Sequence, residues 1–195
     1  MRPMFAHAVL LAAILLTTLI RWPHERRRRV NRVARSDQDW RENMLLSLSF
    51  IGMVVIPAAT VLSRLCNFAH IAFHFGLAWL GVGITAFALW LFWRSHRDLG
   101  RHWSPSLVIH DEQAIVDTGV YKYIRHPMYS ALFLLCLGQA FLFNDNWLTG
   151  LAGLATFGPL YAIRVGREER MMVERFGERY RAYMMRTTRL IPRLL

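Results

Sequence analysis

Charge is scarce in this chain, and acidic charge is scarcer still. Of 195 residues 19% are charged, with 13 Asp or Glu against 24 Lys or Arg, while 54% are apolar. Soluble domains carry about 25% charged and roughly 45–50% apolar residues, so an ordinary soluble domain is excluded. Disorder is excluded as well, because this much apolar side chain must be buried or dissolved in lipid. There are only two cysteines, Cys66 and Cys136, each within or beside an apolar run. They read as small hydrophobes, and neither a disulfide framework nor a metal site is available to them. Also missing are a Walker loop, a GxGxxG fingerprint after a strand, a GxSxG nucleophile elbow and an HExxH zinc motif. His70 and His74 share a helical face, yet no nearby carboxylate completes a metal site, and no internal repeat or low-complexity tract is present.

What the chain has instead is apolar runs. Stretches free of Asp, Glu, Lys and Arg extend over Met4–Ile20, Met44–Leu62, Ile71–Trp93, Pro127–Phe143 and Trp147–Ile163. A hydrocarbon core about 30 Å thick is crossed by ~17–25 helical residues, and only a backbone whose hydrogen bonds close internally is tolerated in lipid. The runs therefore predict an all-α integral membrane protein with five transmembrane helices. The first could be confused with a secretory signal, but only Arg2 precedes it, while Arg21, Arg26–Arg29, Arg32, Arg35 and Arg41 follow. That order of charge predicts a retained span.

The basic residues alternate between loops. Arg21–Arg41 holds 8, Arg94–Arg125 holds 5 and Arg164–Arg193 holds 9, which leaves only Arg2 and Arg64 for the other side. By the positive-inside rule the N-terminus is expected outside and the C-terminus in the cytoplasm, in a multi-pass plasma or inner membrane protein. The net charge of +11 is accounted for by topology and anionic lipid, and nucleic acid is not an expected partner.

The three basic segments differ in character. Arg21–Arg41 reads as a lipid-facing anchor. Residues 104–124 contain two short β-branched pieces, Leu107–Ile109 and Ala114–Val116, which predict a small extended or hairpin-like loop. Residues 168–185 carry Met172, Phe176, Tyr180 and Tyr183 at helical spacing, which predicts an amphipathic helix over the cytoplasmic parts. Two places there deviate from plain membrane helix. Arg125-His126-Pro127-Met128-Tyr129 opens the fourth run with Pro127 in the first turn, where exposed amides can receive an anionic group; a bland reading is membrane entry, with Arg125 snorkelling and Tyr129 in an aromatic belt. Arg164 ends the fifth run with Glu168 four residues on, an ionisable pair at the membrane boundary.

Taken in order, Asp98-Leu99-Gly100-Arg101-His102-Trp103-Ser104, Gly119-Val120-Tyr121, Arg125-His126-Pro127-Met128-Tyr129, Arg164 with Glu168-Glu169, and Phe176-Gly177-Glu178-Arg179-Tyr180 followed by Pro192 resemble the isoprenylcysteine carboxyl methyltransferase family, in its short prokaryotic form. The resemblance is close over 98–192 and mainly one of layout before that. It implies a membrane enzyme that uses S-adenosylmethionine to methylate the carboxylate of a lipidated, isoprenylcysteine-like substrate at the cytoplasmic face. It implies a three-span region over 1–98, and over 99–195 a loop, a two-span hairpin and a C-terminal helix that form the cofactor pocket. Gln113, Ala114, Ile115, Val116, Tyr121, His126, Pro127, Met128, Tyr129, Glu168 and Glu169 would line the cofactor. Arg164 would hold the substrate carboxylate, and Arg164 and Glu168 would be the catalytic pair. The expected partners are a lipidic or prenylated substrate and membrane lipid, with no metal. A phospholipid N-methyltransferase, a non-catalytic membrane binding or scaffold protein and an NADPH-dependent membrane reductase are the alternatives.

Overall fold

The structure, a computed structural model, describes residues 4–28, 33–36, 40–63, 67–69, 71–100, 108–110 and 114–192. Six stretches of helix build the bundle: α1 (Met4–Arg28), α2 (Trp40–Phe50) running on through a wide turn at Ile51–Val55 into α3 (Ile56–Leu62), α4 (Phe75–Leu99), α5 (Pro127–Leu142) and α6 (Trp147–Phe176). A short α7 (Glu178–Arg186) follows. Four segments are long and apolar enough to cross a membrane, Met4–Arg26, Trp40–Leu62, Phe75–Leu99 and Trp147–Phe176. The fifth apolar helix, α5, has 16 residues and is about 24 Å long at 1.5 Å per residue. Its outward neighbours are hydrocarbon-like, with Leu15, Leu19, Trp79, Phe87, Trp90, Leu151 and Ile163 all exposed. Such a belt is unfavourable in water and suited to lipid, and the chain is an integral membrane protein.

α5 lies in the middle, packed between α4 and α6, while α1 leans on α4 and α2 on α6. Small residues bring α4 and α5 together, as lipid-embedded helices require. A Cβ at Gly138 would lie 2.3 Å from the Thr85 hydroxyl, so any larger residue there must displace the Thr85 side chain. On the other side Leu45, Cys136, Phe157 and Leu160 join α2, α5 and α6, and Cys136 is the buried small hydrophobe expected of it. The wide turn in the second span has a local cause. Pro57 has no N–H to offer a carbonyl one turn back, and the Ile56 N–H reaches instead to Ile51. Gln139 from α5 compensates from inside the bundle, donating to the carbonyls of Gly52 (3.1 Å) and Thr149 (2.7 Å).

Two expectations need correction. The final span and the amphipathic helix are not separate: α6 continues for 30 residues to Phe176, about 45 Å, and breaks only at Gly177, where φ is +56°. Counting charge-free residues ends the span at Ile163, but nothing in Arg164–Phe176 opposes helix, so the helix passes beyond any membrane boundary. The expected loop over 104–124 also pairs differently. Val108–His110 forms a two-stranded antiparallel sheet with Val33–Ser36 of the Arg-rich segment, with Val33 opposite His110 and Ser36 opposite Val108. The partner lies in another segment, and Ala114–Val116 forms no strand.

Candidate active site

The motif residues gather at the end of the bundle that carries the basic segments. Asp98, at the end of α4, accepts from the Val120 N–H at 2.9 Å and from Arg94 at 3.1 Å. Gly119 sits against it with φ +60°, and a Cβ there would lie 2.0 Å from the Asp98 carboxylate. This explains the Asp and the Gly of two separate motifs as one clamp. The clamp sets Tyr121, whose hydroxyl lies 3.4 Å from the Ser95 carbonyl and whose own carbonyl accepts from Tyr183 of α7 at 2.7 Å. Burial pushes both phenols above their ordinary range, so each stays a neutral donor.

Beyond α7 the chain turns back as a strap across the start of α5. The N–H groups of Arg125 and His126 donate to the carbonyls of Thr188 (2.8 Å) and Arg189 (3.0 Å), Thr188 donates to Tyr123 at 3.3 Å, and the Ser130 hydroxyl donates to Leu190 at 2.6 Å. Under the strap Glu169, 4% exposed, receives Arg125 Nε at 2.9 Å and Arg189 Nη2 at 2.7 Å. His126 Nε2 lies 3.4 Å from the same carboxylate. Arg125 also donates to the carbonyls of Met184 and Thr187. Glu169 is thus the hub that ties α5, α6 and the strap together, and Arg125 is buried in it, not extended towards headgroups. Arg189, which the sequence reading passed over as one of many C-terminal arginines, completes the hub.

Glu168 points the other way. It accepts from the Tyr129 hydroxyl at 2.7 Å and lies near enough to Tyr121 and Tyr180 to act on both electrostatically. Tyr129 stands between His126 (ring centroids 5.5 Å) and Tyr161 (5.4 Å), and Phe133 continues the aromatic wall at 5.2 Å from Tyr161. Arg164, one turn before Glu168, is 7% exposed and faces α2, where its Nη1 lies 3.5 Å from Glu42. Glu42, Arg164 and Glu168 all act electrostatically on Tyr129, so the three charges share one neighbourhood. Sequence reasoning missed Glu42 because it sits just before the second charge-free run.

Of the residues expected to line a cofactor, Tyr121, His126, Tyr129, Glu168 and Glu169 come together here, with Pro127 buried and Met128 half-buried in the first turn of α5. Ala114, Ile115 and Val116 form an extended stretch, exposed at Ala114 and half-buried after it. It is tied to α7 through Asp117 and Arg186 at 3.3 Å. Gln113 lies outside the described residues, as do His70, Cys66 and Arg101–Ser104. Among the described residues no group of three or more His, Cys, Asp or Glu side chains is placed to hold a metal. Beneath the strap is an apolar cavity of about 640 Å³ between α4 and α5, lined by Trp90, Leu91, Phe133, Leu137, Leu190 and Ile191 among others. Phe133 and Ser130 belong to both the cavity wall and the helix that carries Tyr129.

Comparison with known proteins agrees with this arrangement. The model of the isoprenylcysteine carboxyl methyltransferase family matches residues 79–174. A protein-S-isoprenylcysteine O-methyltransferase of Schizosaccharomyces pombe is 30% identical over 81 residues, which is 42% of this chain and 34% of the relative. The enzyme of the same name from Dictyostelium discoideum is 31% identical over 74 residues, 37% of this chain and 30% of its own length. An uncharacterized protein of Haemophilus influenzae is 27% identical over 128 residues, 58% of this chain and 74% of that protein. The two matches to named methyltransferases thus span about a third of those proteins. The solved structure of the eukaryotic intramembrane Ras methyltransferase shares the fold, with a TM-score of 0.54 at 20% identity over 76% of this chain and 50% of that one. With the family model lying over most of the ordered motifs, two named relatives at about 30% identity and the fold held in common, the chain matches the isoprenylcysteine carboxyl methyltransferase family over residues 79–174.

Proposed function

We propose that this protein is an S-adenosylmethionine-dependent methyltransferase that esterifies the carboxylate of a lipidated, isoprenylcysteine-like acceptor at the cytoplasmic membrane face. The observation that carries the reading is the division of labour between two charges one turn apart on α6: the half-buried Glu168 held by Tyr129, and the buried Arg164 facing α2. A carboxylate that accepts from Tyr129 and lies within electrostatic reach of Tyr121 and Tyr180 suits a cationic, ring-bearing cofactor, because aromatic faces and a carboxylate both favour positive charge. In this reading Glu168, Tyr129 and Tyr121 hold the cofactor, with His126 and the first turn of α5 beside them. Glu169 acts at one remove by fixing Arg125, His126 and the strap. When bound, S-adenosylmethionine supplies a methyl group on a sulfonium, so that C–O bond formation with C–S cleavage leaves a methyl ester and a neutral thioether.

The acceptor carboxylate is already ionised at neutral pH, so the chain has no proton to remove. Its task is positioning, which supplies most of the catalysis available to such a transfer. Arg164 provides a planar guanidinium suited to hold a carboxylate by two parallel hydrogen bonds. The all-but-purely apolar cavity under the strap has the size of a drug-like ligand site and suits an isoprenoid or acyl tail. The five apolar helices and the one-sided basic charge support five crossings with the N-terminus outside and the site in the cytoplasm.

Calorimetry of the detergent-purified protein tests the cofactor half of this reading. Micromolar binding of S-adenosylhomocysteine is expected, weakened more than tenfold in Glu168→Ala and Tyr129→Phe, while both variants keep the wild-type thermal transition. Undiminished binding in both would remove Glu168 and Tyr129 from the cofactor site.

A further inference from the structure

Glu42 comes to the site from α2, in the N-terminal half of the chain, and nothing in the ordered motifs points to it. It lies in the first turn of α2, where a negative charge is favoured by the exposed amides of the helix start. It is nevertheless 4% exposed, and its partner Arg164 is 7% exposed. A buried arginine on an apolar helix requires a counter-charge, because the lone ion is costly to desolvate. The contact of 3.5 Å is longer than the 2.7–2.9 Å of a close charge-assisted hydrogen bond. Within this contact one guanidinium faces one carboxylate, so Glu42 offsets the charge of Arg164 before any acceptor arrives.

That balance matters for the reaction proposed above, on which this inference rests. An acceptor carboxylate carries a full negative charge in the ground state and loses it as the ester forms. An arginine that bound the anion with its whole charge would stabilise the ground state more than the transition state, and the difference would add to the barrier. We propose that Glu42 is a charge-balancing residue of the acceptor site. It holds the Arg164 guanidinium in place yet offsets its charge, so the acceptor is oriented without being held as an anion. Glu42 touches neither acceptor nor cofactor in this account and acts only through Arg164.

The test uses an S-farnesyl thioether carboxylic acid and its methyl ester with the full-length protein in detergent. Binding of each is measured by calorimetry without cofactor, and kcat and KM for the acid are measured with it. Glu42→Gln keeps shape and removes charge. It is expected to bind the acid about tenfold more tightly, as close charge pairs across a binding site do when a competing charge is removed, and to leave the ester unchanged. KM and kcat should fall together, the pattern of relieved ground-state destabilisation. Weaker or unchanged acid binding, or a fall in kcat with a rise in KM, would overturn the proposal and reduce Glu42 to a structural partner. If Glu42→Gln does not fold, Glu42→Asp draws the charge back while retaining it and should tighten acid binding; no tightening there overturns the proposal equally. Arg164→Gln separates the two levels: acid binding indifferent to that change would refute the placement of the acceptor at Arg164, whatever Glu42 does.

Discussion

Replacing Glu169 with alanine is expected to cost about 3–5 kcal/mol of stability, the usual penalty for leaving a buried ionic partner uncompensated. Arg125 is 8% exposed at the side chain and Glu169 5%, and the same carboxylate also takes both Nε and Nη2 of Arg189. Without it Arg125 remains buried among the carbonyls of Met184 and Thr187, and the strap loses the side-chain tie that holds it to α6. At roughly 2–4 °C per kcal/mol for a chain of this size, the thermal midpoint in detergent should fall by about 6–20 °C. Hydrogen exchange should show the amides of Arg125, His126 and Thr188 opening first, since their partners lie across the strap. Glu169→Gln retains an acceptor for one arginine and should lose less. An unchanged midpoint and unchanged protection in Glu169→Ala would mean that the strap is held by its backbone bonds and by Ser130 alone.

Arg164→Ala should be nearly silent towards the cofactor and severe towards the acceptor. Losing one partner of a buried, hydrogen-bonded charge pair at a binding site costs about 2–5 kcal/mol, which is a fall of roughly thirtyfold to several-thousandfold in kcat/KM for the lipidated acid. The alanine variant also leaves Glu42 buried, so its fold is weakened as well. Arg164→Lys keeps the charge opposite Glu42 but loses the planar fork. It should therefore stay folded, bind S-adenosylhomocysteine as the wild type does, and still transfer methyl poorly. A lysine variant with wild-type kcat/KM would show that point charge at that place is enough, and a site that needs no bidentate hold.

The apolar helices were legible in the sequence because lipid imposes length and composition together: the charge-free runs reappear largely as helix, the third only from Phe75 on. Their ends were not, because the end of an apolar run marks where the membrane stops and not where hydrogen bonding does. α1 carries on past Pro23 to Arg28 and α6 to Phe176. The motif residues of the site were legible as ordered groups, yet the reasons for them were not local. Asp98 and Gly119 belong together through one clamp, and Arg125, Glu169 and Arg189 through one hub. Each of these contacts joins residues at least 20 positions apart, for which no periodicity exists to be read. Glu42 shows the same limit most plainly. A rule that searches for charge-free stretches discards the residue just outside one, although a carboxylate buried there against Arg164 is the feature that a membrane site can least carry without purpose.

Methyl transfer to a carboxylate is tested most directly by the fate of a labelled methyl group. Purified protein in lipid nanodiscs is incubated with S-adenosylmethionine carrying a tritiated methyl and with an S-farnesyl thioether acid, and the lipid product is then treated with mild base. The account expects label in the lipid fraction that base releases as methanol, and its loss in Arg164→Lys and Glu168→Ala. Label that resists base and resides on an amine headgroup would make the protein a phospholipid N-methyltransferase, and no label at all from a protein that binds the cofactor would contradict the acceptor chemistry assigned to Arg164.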